Sequence, residues 1–165
     1  MELLDVYNDD GTLTGRTVVR GDRTAKFGEH EHIAVGVIFI QNSKGEFLIQ
    51  KTSKEKGGKF SSTGGHIDSG ETPLRAIQRE VEEELGLKID ESEIVNLGFM
   101  NFDIPLSFMF YAKKDIDLSN IHLQVEEVDY VKFMSIEEIK NLIKTNQMLH
   151  SHVIMFEELL KKLKN

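Results

Sequence analysis

The stretch Gly64 to Leu87, GGHIDSGETPLRAIQREVEEELGL, decides how this chain is read. Its middle predicts a helix. Thr72 is an N-cap residue, Pro73 suits the first helical position, and Gly86 follows Leu85 as a stop. At about 100° per residue, Leu74, Ile77, Val81 and Leu85 fall on one stripe, the core face. Glu80, Glu83 and Glu84 converge on an arc beside it, with Ala76 one turn earlier on the same acidic face. Glu82 points elsewhere and is solvated. Like charges three or four apart repel by a few tenths of a kcal/mol per pair, roughly. A surface helix would mix lysine or arginine among them. Three converging carboxylates make sense when a cation neutralises them, and an all-oxygen set suits Mg²⁺ or Mn²⁺.

Around this stretch the composition is ordinary. The chain has 165 residues, a length that suits one compact domain over residues 1–165. Apolar residues make up 39% and charged residues 29%, which is a globular balance. No run approaches the roughly 20 apolar residues of a membrane span, and MELLDVYNDDG lacks the pattern of a signal peptide. The absence of cysteine excludes disulfides and thiol catalysis, and fits a cytoplasmic protein. A net charge of −8 argues against a nucleic-acid polymer as partner. It leaves room for a small phosphorylated substrate held through a divalent cation.

Working outward, LLDVY and LTGRTVVR flank NDDG and predict an N-terminal β-hairpin. IAVGVIFIQNSKGEFLIQK predicts a second hairpin, Ile33–Ile40 with Glu46–Lys51. IVNLGFMNF, LSFMFYAKK and VDYVKFMS are further strands. Ser135 caps a helix that Glu138 closes as a capping box, and a last amphipathic helix is expected from about Gln147 to Lys164. Its apolar stripe serves packing on the chain's own core or a homodimer contact. Strand pairs interspersed with helices predict an α/β (α+β) fold, a layered αβα domain on a mixed sheet.

The spacing within the opening stretch is more specific than its charge. Gly65, five residues, Glu71, seven residues, then Arg79-Glu80-Val81-x-Glu83-Glu84-x-Gly86-Leu87 resembles the Nudix box at every fixed position. The order of flanking strands and helices also resembles the Nudix αβα sandwich. The resemblance implies a MutT-like hydrolase that cleaves a diphosphate in a nucleoside diphosphate derivative or similar organic diphosphate, with Mg²⁺ or Mn²⁺. It implies Glu80, Glu83 and Glu84 as metal-binding carboxylates, the Gly64 carbonyl as a further metal oxygen, and Glu83 or Glu80 as the base. Gly65, Glu71, Arg79 and Gly86 would be structural, Glu71 and Arg79 as an ion pair between loop and helix. Glu126 and Glu127 are candidates for an acidic ligand outside the box.

LLDVYNDDGTLTGR, HEHIAVGVIFI, GGHIDSGE and EEVDYVKFMSIEEI resemble the branch containing isopentenyl-diphosphate isomerases. His32 and His66 look like two of that branch's metal histidines. Gly64 stands where its cysteine would be, which favours hydrolysis. An isomerase-like enzyme and a non-catalytic nucleotide-binding or regulatory module are the alternatives. Lysines 51, 54, 56 and 59 form a loop able to reach phosphates. Among Phe60, Phe99, Phe102, Phe108 and Phe110 one could stack on a base. His30, His122, His150 and His152 present no case for a role.

Overall fold

A computed structural model describes residues 2–164. In chain order the elements are β1 (Leu3–Asn8), β2 (Leu13–Val19), β3 (Glu31–His32), β4 (Ala34–Gln41), β5 (Phe47–Thr52), β6 (Phe60–Ser61) and β7 (Thr63–His66). Then come α1 (Pro73–Leu85), β8 (Ile94–Asn101), β9 (Leu106–Lys113), β10 (Val128–Met134), α2 (Ile136–Lys144) and α3 (His150–Leu163). The larger sheet runs β10-β5-β4-β9-β8, with β6 on β5 and β7 on β4. β4 and β9 are parallel and the other pairs antiparallel, so the sheet is mixed, as expected. Among the described residues no helix is long and apolar enough to cross a membrane.

β4 shows why the layers form. Its side chains alternate between faces. Val37 and Phe39 enter a cluster with Ile139 and Leu142 of α2 and Met155, Phe156 and Leu159 of α3. Ile38 and Ile40 enter another with Ile77, Val81 and Leu85 of α1. A strand covered on both faces must read as a continuous apolar run, and AVGVIFI does. Phe156 lies 5.2 Å from Phe47 edge-on and 6.0 Å from Phe39. α3 thus uses its stripe on its own sheet.

α1 has the expected caps. Thr72 Oγ1 accepts the Arg75 amide at 3.2 Å, and Gly86, at φ 65°, donates to Glu82 O at 2.9 Å. One expectation is corrected: Ala76 is fully buried with Tyr7, Ala34, Ile67 and Leu106, off the acidic face. Its small side chain brings the helix close to the N-terminal sheet.

The second hairpin is also corrected. β4 and β5 pair at Gln41 and Phe47 only, then part. β7 takes the freed edge of β4, from Val35 opposite His66 to Ile38 opposite Thr63, and β5 pairs with β10. The inserted strand carries Gly64-Gly65-His66, which puts the head of the box in the sheet against α1. The C-terminal helix begins later than expected, at His150. The segment before it pairs with β6 instead: Phe60 N donates to Gln147 O and Leu149 N to Phe60 O, both at 2.9 Å.

The expected N-terminal hairpin forms the smaller sheet, β2-β1-β3. It is stitched to the box. Ser69 N donates to Leu3 O at 2.8 Å, while Ser69 Oγ and the Gly70 amide reach the Asp5 carboxylate at 2.8 and 3.0 Å.

Candidate functional site

The site is built where β7 meets α1. A Cβ on Gly65 would lie 2.4 Å from the Glu80 carboxyl carbon, so only glycine lets that carboxylate rest on the strand. A Cβ on Gly64 would lie 2.3 Å from Gly36 O and 3.2 Å from Val37 Cα. Backbone does not give way, so no side chain fits there, a cysteine included. Gly86 needs its glycine both for φ and because His122 packs over it, 2.8 Å from the Cβ position.

Arg79 organises the carboxylates. Its Nε and Nη2 grip Glu71 at 2.7 and 2.8 Å, a bidentate pair, and Nη2 also donates to His66 O at 3.1 Å. Glu71 in turn accepts the Asp68 amide at 3.0 Å. The ion pair between loop and helix is therefore present. The guanidinium beside Glu71 holds its carboxyl below the usual carboxylate range. Arg79 Nη1 goes further than expected and holds Glu80 at 2.8 Å and Glu83 at 3.2 Å.

The three expected carboxylates share one chamber but differ in setting. Glu84 is 7% exposed, and its Oε2 is buried without a hydrogen-bond partner. Burial first, then the charge of Glu80, pushes its pKa up to about 8, against the pull of the Gly64 amide and Gln50. Burial also raises Glu80, with the Arg79 hydrogen bond opposing. Glu83 stands at the mouth, its side chain 51% exposed. Glu82 is exposed and lies outside the chamber.

That chamber is about 400 Å³. Glu2, Asp68, Glu80, Glu83, Glu84 and Glu127 line it, with Arg20 and Arg79 as cations. A second cavity of about 310 Å³ adjoins it, walled largely by apolar groups such as Val35, Val37, Phe102, Pro105 and Leu149. Gly64, Gly65, His66, Glu84 and Glu127 face both. A polar, acidic half next to an apolar half suits a ligand with a phosphorylated end and an organic end. A divalent cation fits the acidic half. An orphaned buried carboxylate oxygen among six acidic side chains is the donor chemistry it takes. Among the described residues no three acidic or histidine side chains are gathered as a cage, and Arg79 holds two of the carboxylates.

The candidates outside the box separate. Glu127 lines both cavities and pairs with Lys56 at 3.4 Å. The exposed Glu126 lines neither, and its carbonyl accepts the Ser53 hydroxyl. His66 faces both cavities; burial, then Arg20, lowers its pKa and keeps the ring neutral. His32 faces neither and is 1% exposed. Its Nε2 donates to Asp9 at 2.6 Å and its Nδ1 to Asp103 O, tying the N-terminal sheet to the loop before β9. Burial opposes its charge, and those two bonds more than offset it, leaving the pKa raised.

Of the loop lysines, Lys56 lines the second cavity. Lys51 lies over the Phe60 ring at 4.5 Å, and Lys59 donates to Asn146 O at 2.6 Å. Of the phenylalanines, Phe102 lines the cavity, while Phe99 and Phe108 pack on each other at 5.4 Å. Two residues at the site had no sequence signal. Arg20, at the end of β2, enters the chamber held by Glu2 at 3.0 Å, and His152 of α3 lines the second cavity.

The NUDIX domain family model matches residues 30–155 of this sequence. The chain belongs to the Nudix hydrolase family. An uncharacterised Nudix hydrolase of Listeria monocytogenes is 38% identical over 146 residues, spanning 86% of this chain and 85% of that one. An 8-oxo-dGTP diphosphatase of Haemophilus influenzae is 34% identical over 86 residues, spanning 48% of this chain and 59% of that one. A Deinococcus radiodurans crystal structure superposes with a TM-score of 0.73 at 23% identity, covering 89% of this chain and 91% of the other, and supports the fold. Nudix hydrolases act on small molecules and generally require divalent metal ions. Glu2 and Arg20 lie before the matched residues, so in this Nudix chain the N-terminal sheet adds its own charges to the chamber.

Proposed function

We propose that this Nudix hydrolase cleaves a diphosphate bond in a nucleoside diphosphate derivative or similar organic diphosphate, with Mg²⁺ or Mn²⁺. The observation that carries the reading is Glu84, a buried carboxylate on the wall of the acidic chamber with one oxygen left without a partner. Glu80, Glu83, Glu84 and the Gly64 carbonyl would hold the cation. When bound, the cation neutralises the charge on the transferred phosphoryl group and acidifies water. Glu83 or Glu80 would orient an attacking water and take its proton. Arg79, now engaged by both, keeps them on the chamber side of α1. Glu71 anchors Arg79, and Glu127 extends the acidic wall to the neighbouring cavity.

The isomerase alternative loses ground on a further count. Its cysteine is absent, and the Gly36 carbonyl leaves no space for one at Gly64. The test is a panel of nucleoside di- and triphosphates, nucleotide sugars, dinucleotides and prenyl diphosphates with Mg²⁺ or Mn²⁺, read by phosphate release and chromatography. Some nucleoside diphosphate derivative should be cleaved, and Glu84→Gln should abolish that while the fold survives. Absence of turnover across the panel, or full activity of the variant, would overturn the proposal.

A further inference from the structure

The apolar cavity reaches α3 at His152, a residue 8% exposed and part of its wall. The Ser62 backbone amide donates to His152 Nδ1 at 3.0 Å. A backbone N–H can only donate, so Nδ1 is unprotonated and the proton of the neutral ring sits on Nε2. Burial holds the ring neutral, with its pKa pushed down to about 4. The Nε2–H makes no hydrogen bond to any described residue and is not sealed off by protein. The Ser62 hydroxyl, on the residue whose amide holds Nδ1, is itself buried without a partner. The half-buried Phe102 ring forms part of the wall.

A donor without a protein partner at the end of a mainly apolar cavity calls for a ligand that accepts from it. A phosphate does not match, because the imidazole is uncharged and the walls are mainly apolar. A prenyl chain would fill the volume and leave that donor unpaired. A planar heteroaromatic ring with an edge acceptor takes that hydrogen bond and can lie against Phe102. The volume, about 310 Å³, falls at the small end of the roughly 300–1,000 Å³ typical of small-molecule sites.

We propose that His152 is a specificity-determining residue whose Nε2–H donates to a ring nitrogen or carbonyl oxygen of the substrate's nucleobase. This deepens the reading of the site as a nucleoside diphosphate hydrolase and rests on it. The wild-type protein is assayed with Mg²⁺ on derivatives of the four bases. The preferred base is then compared with analogues in which each ring nitrogen is replaced by C–H, or each carbonyl oxygen by hydrogen. One such replacement should lower kcat/KM on the order of tenfold, through KM. His152→Asn keeps an acceptor for the Ser62 amide, and its shorter side chain places no donor at the Nε2 position. It should lose a similar factor on the parent substrate and no longer distinguish parent from analogue. His152→Gln, whose amide nitrogen reaches the Nε2 position, should restore part of the distinction. The melting temperature of each variant, read alongside, separates misfolding from lost recognition.

Equal kcat/KM for all bases in the wild type, or undiminished discrimination in a folded His152→Asn protein, would overturn the proposal. The same comparison is made by thermal shift with methylene-bridged nucleoside diphosphates, which cannot be cleaved. Base-dependent stabilisation that disappears in His152→Asn supports the recognition role even where no turnover is found, a result that would count against the hydrolase reading alone.

Discussion

Glu84→Gln should make the cation-free protein more stable, and increasingly so as pH rises. In the folded state the Glu84 carboxyl has its pKa pushed from 4.5 up to about 8. A carboxyl with a raised folded pKa is destabilising wherever it must ionise. The penalty is absent below the unfolded pKa, grows between 4.5 and 8, and is complete above that window. Linkage sets it at about 1 kcal/mol at pH 5, about 3 at pH 7 and about 4 at pH 8. These are upper values, since relaxation around an ionised Glu84 lowers them. Glutamine keeps the shape and cannot ionise. Urea unfolding of both proteins in EDTA across pH 5–8 therefore should show the variant's advantage widening by about 3 kcal/mol from the acid end to the alkaline end.

Excess Mg²⁺ or Mn²⁺ should then reverse the order. A ligand that binds only the folded state stabilises by RT ln(1 + [L]/Kd), about 2.7 kcal/mol at one hundred times Kd. The wild type should gain this and the variant little of it. A variant advantage that stays flat with pH would show that Glu84 is not desolvated, and the argument for a cation from its orphaned oxygen would fall with it.

Three further outcomes follow from the same geometry. Gly64→Cys should destabilise by at least the roughly 1–3 kcal/mol of an overpacked site, because the new Cβ meets backbone on β4; an unchanged urea midpoint would refute that register. Phe156→Ala should cost about 3–5 kcal/mol in the same assay, since the ring is fully buried between Phe39 and Phe47. The neutral burial of His152 stabilises fully above the unfolded value of 6.5 and loses that contribution as pH falls toward its folded pKa of about 4. Relative to His152→Asn, the wild type should thus lose up to about 3 kcal/mol between pH 7.5 and 4, and parallel acid profiles would refute the buried neutral ring.

What the chain discloses before folding divides by range. The caps of α1, the Ser135–Glu138 capping box of α2 and the N-terminal hairpin are decided within a few residues, and each stands where local chemistry puts it. The Glu71–Arg79 pair lies within reach of a box read as spacing. The second hairpin is legible only at its turn: NSKG reverses the chain, yet one pair of residues joins β4 to β5 before β7 claims the edge. No local signal announces that competition. The burial of Ala76 is not legible because the helical wheel gives direction without neighbours, and the N-terminal sheet arrives from far along the chain to cover it.

The same distinction explains which half of the site could be read. The acidic chamber is legible because a cation needs several oxygens close together, and one helix supplies three at fixed spacing. The organic half is assembled from β4, β6, the loop before β9 and α3, through contacts such as Ser62 with His152, 90 residues apart. A lone histidine in HSHVIMFEELL carries no mark of its use. Its backbone donor, its buried setting and the cavity at its free nitrogen exist only once β6 has paired with the segment before α3 and fixed where that helix begins. On the proposed reading, recognition of the organic group depends on that pairing. A change at Gln147 or Met148 that shifts the start of α3 should move base preference while leaving the carboxylates of α1 in place.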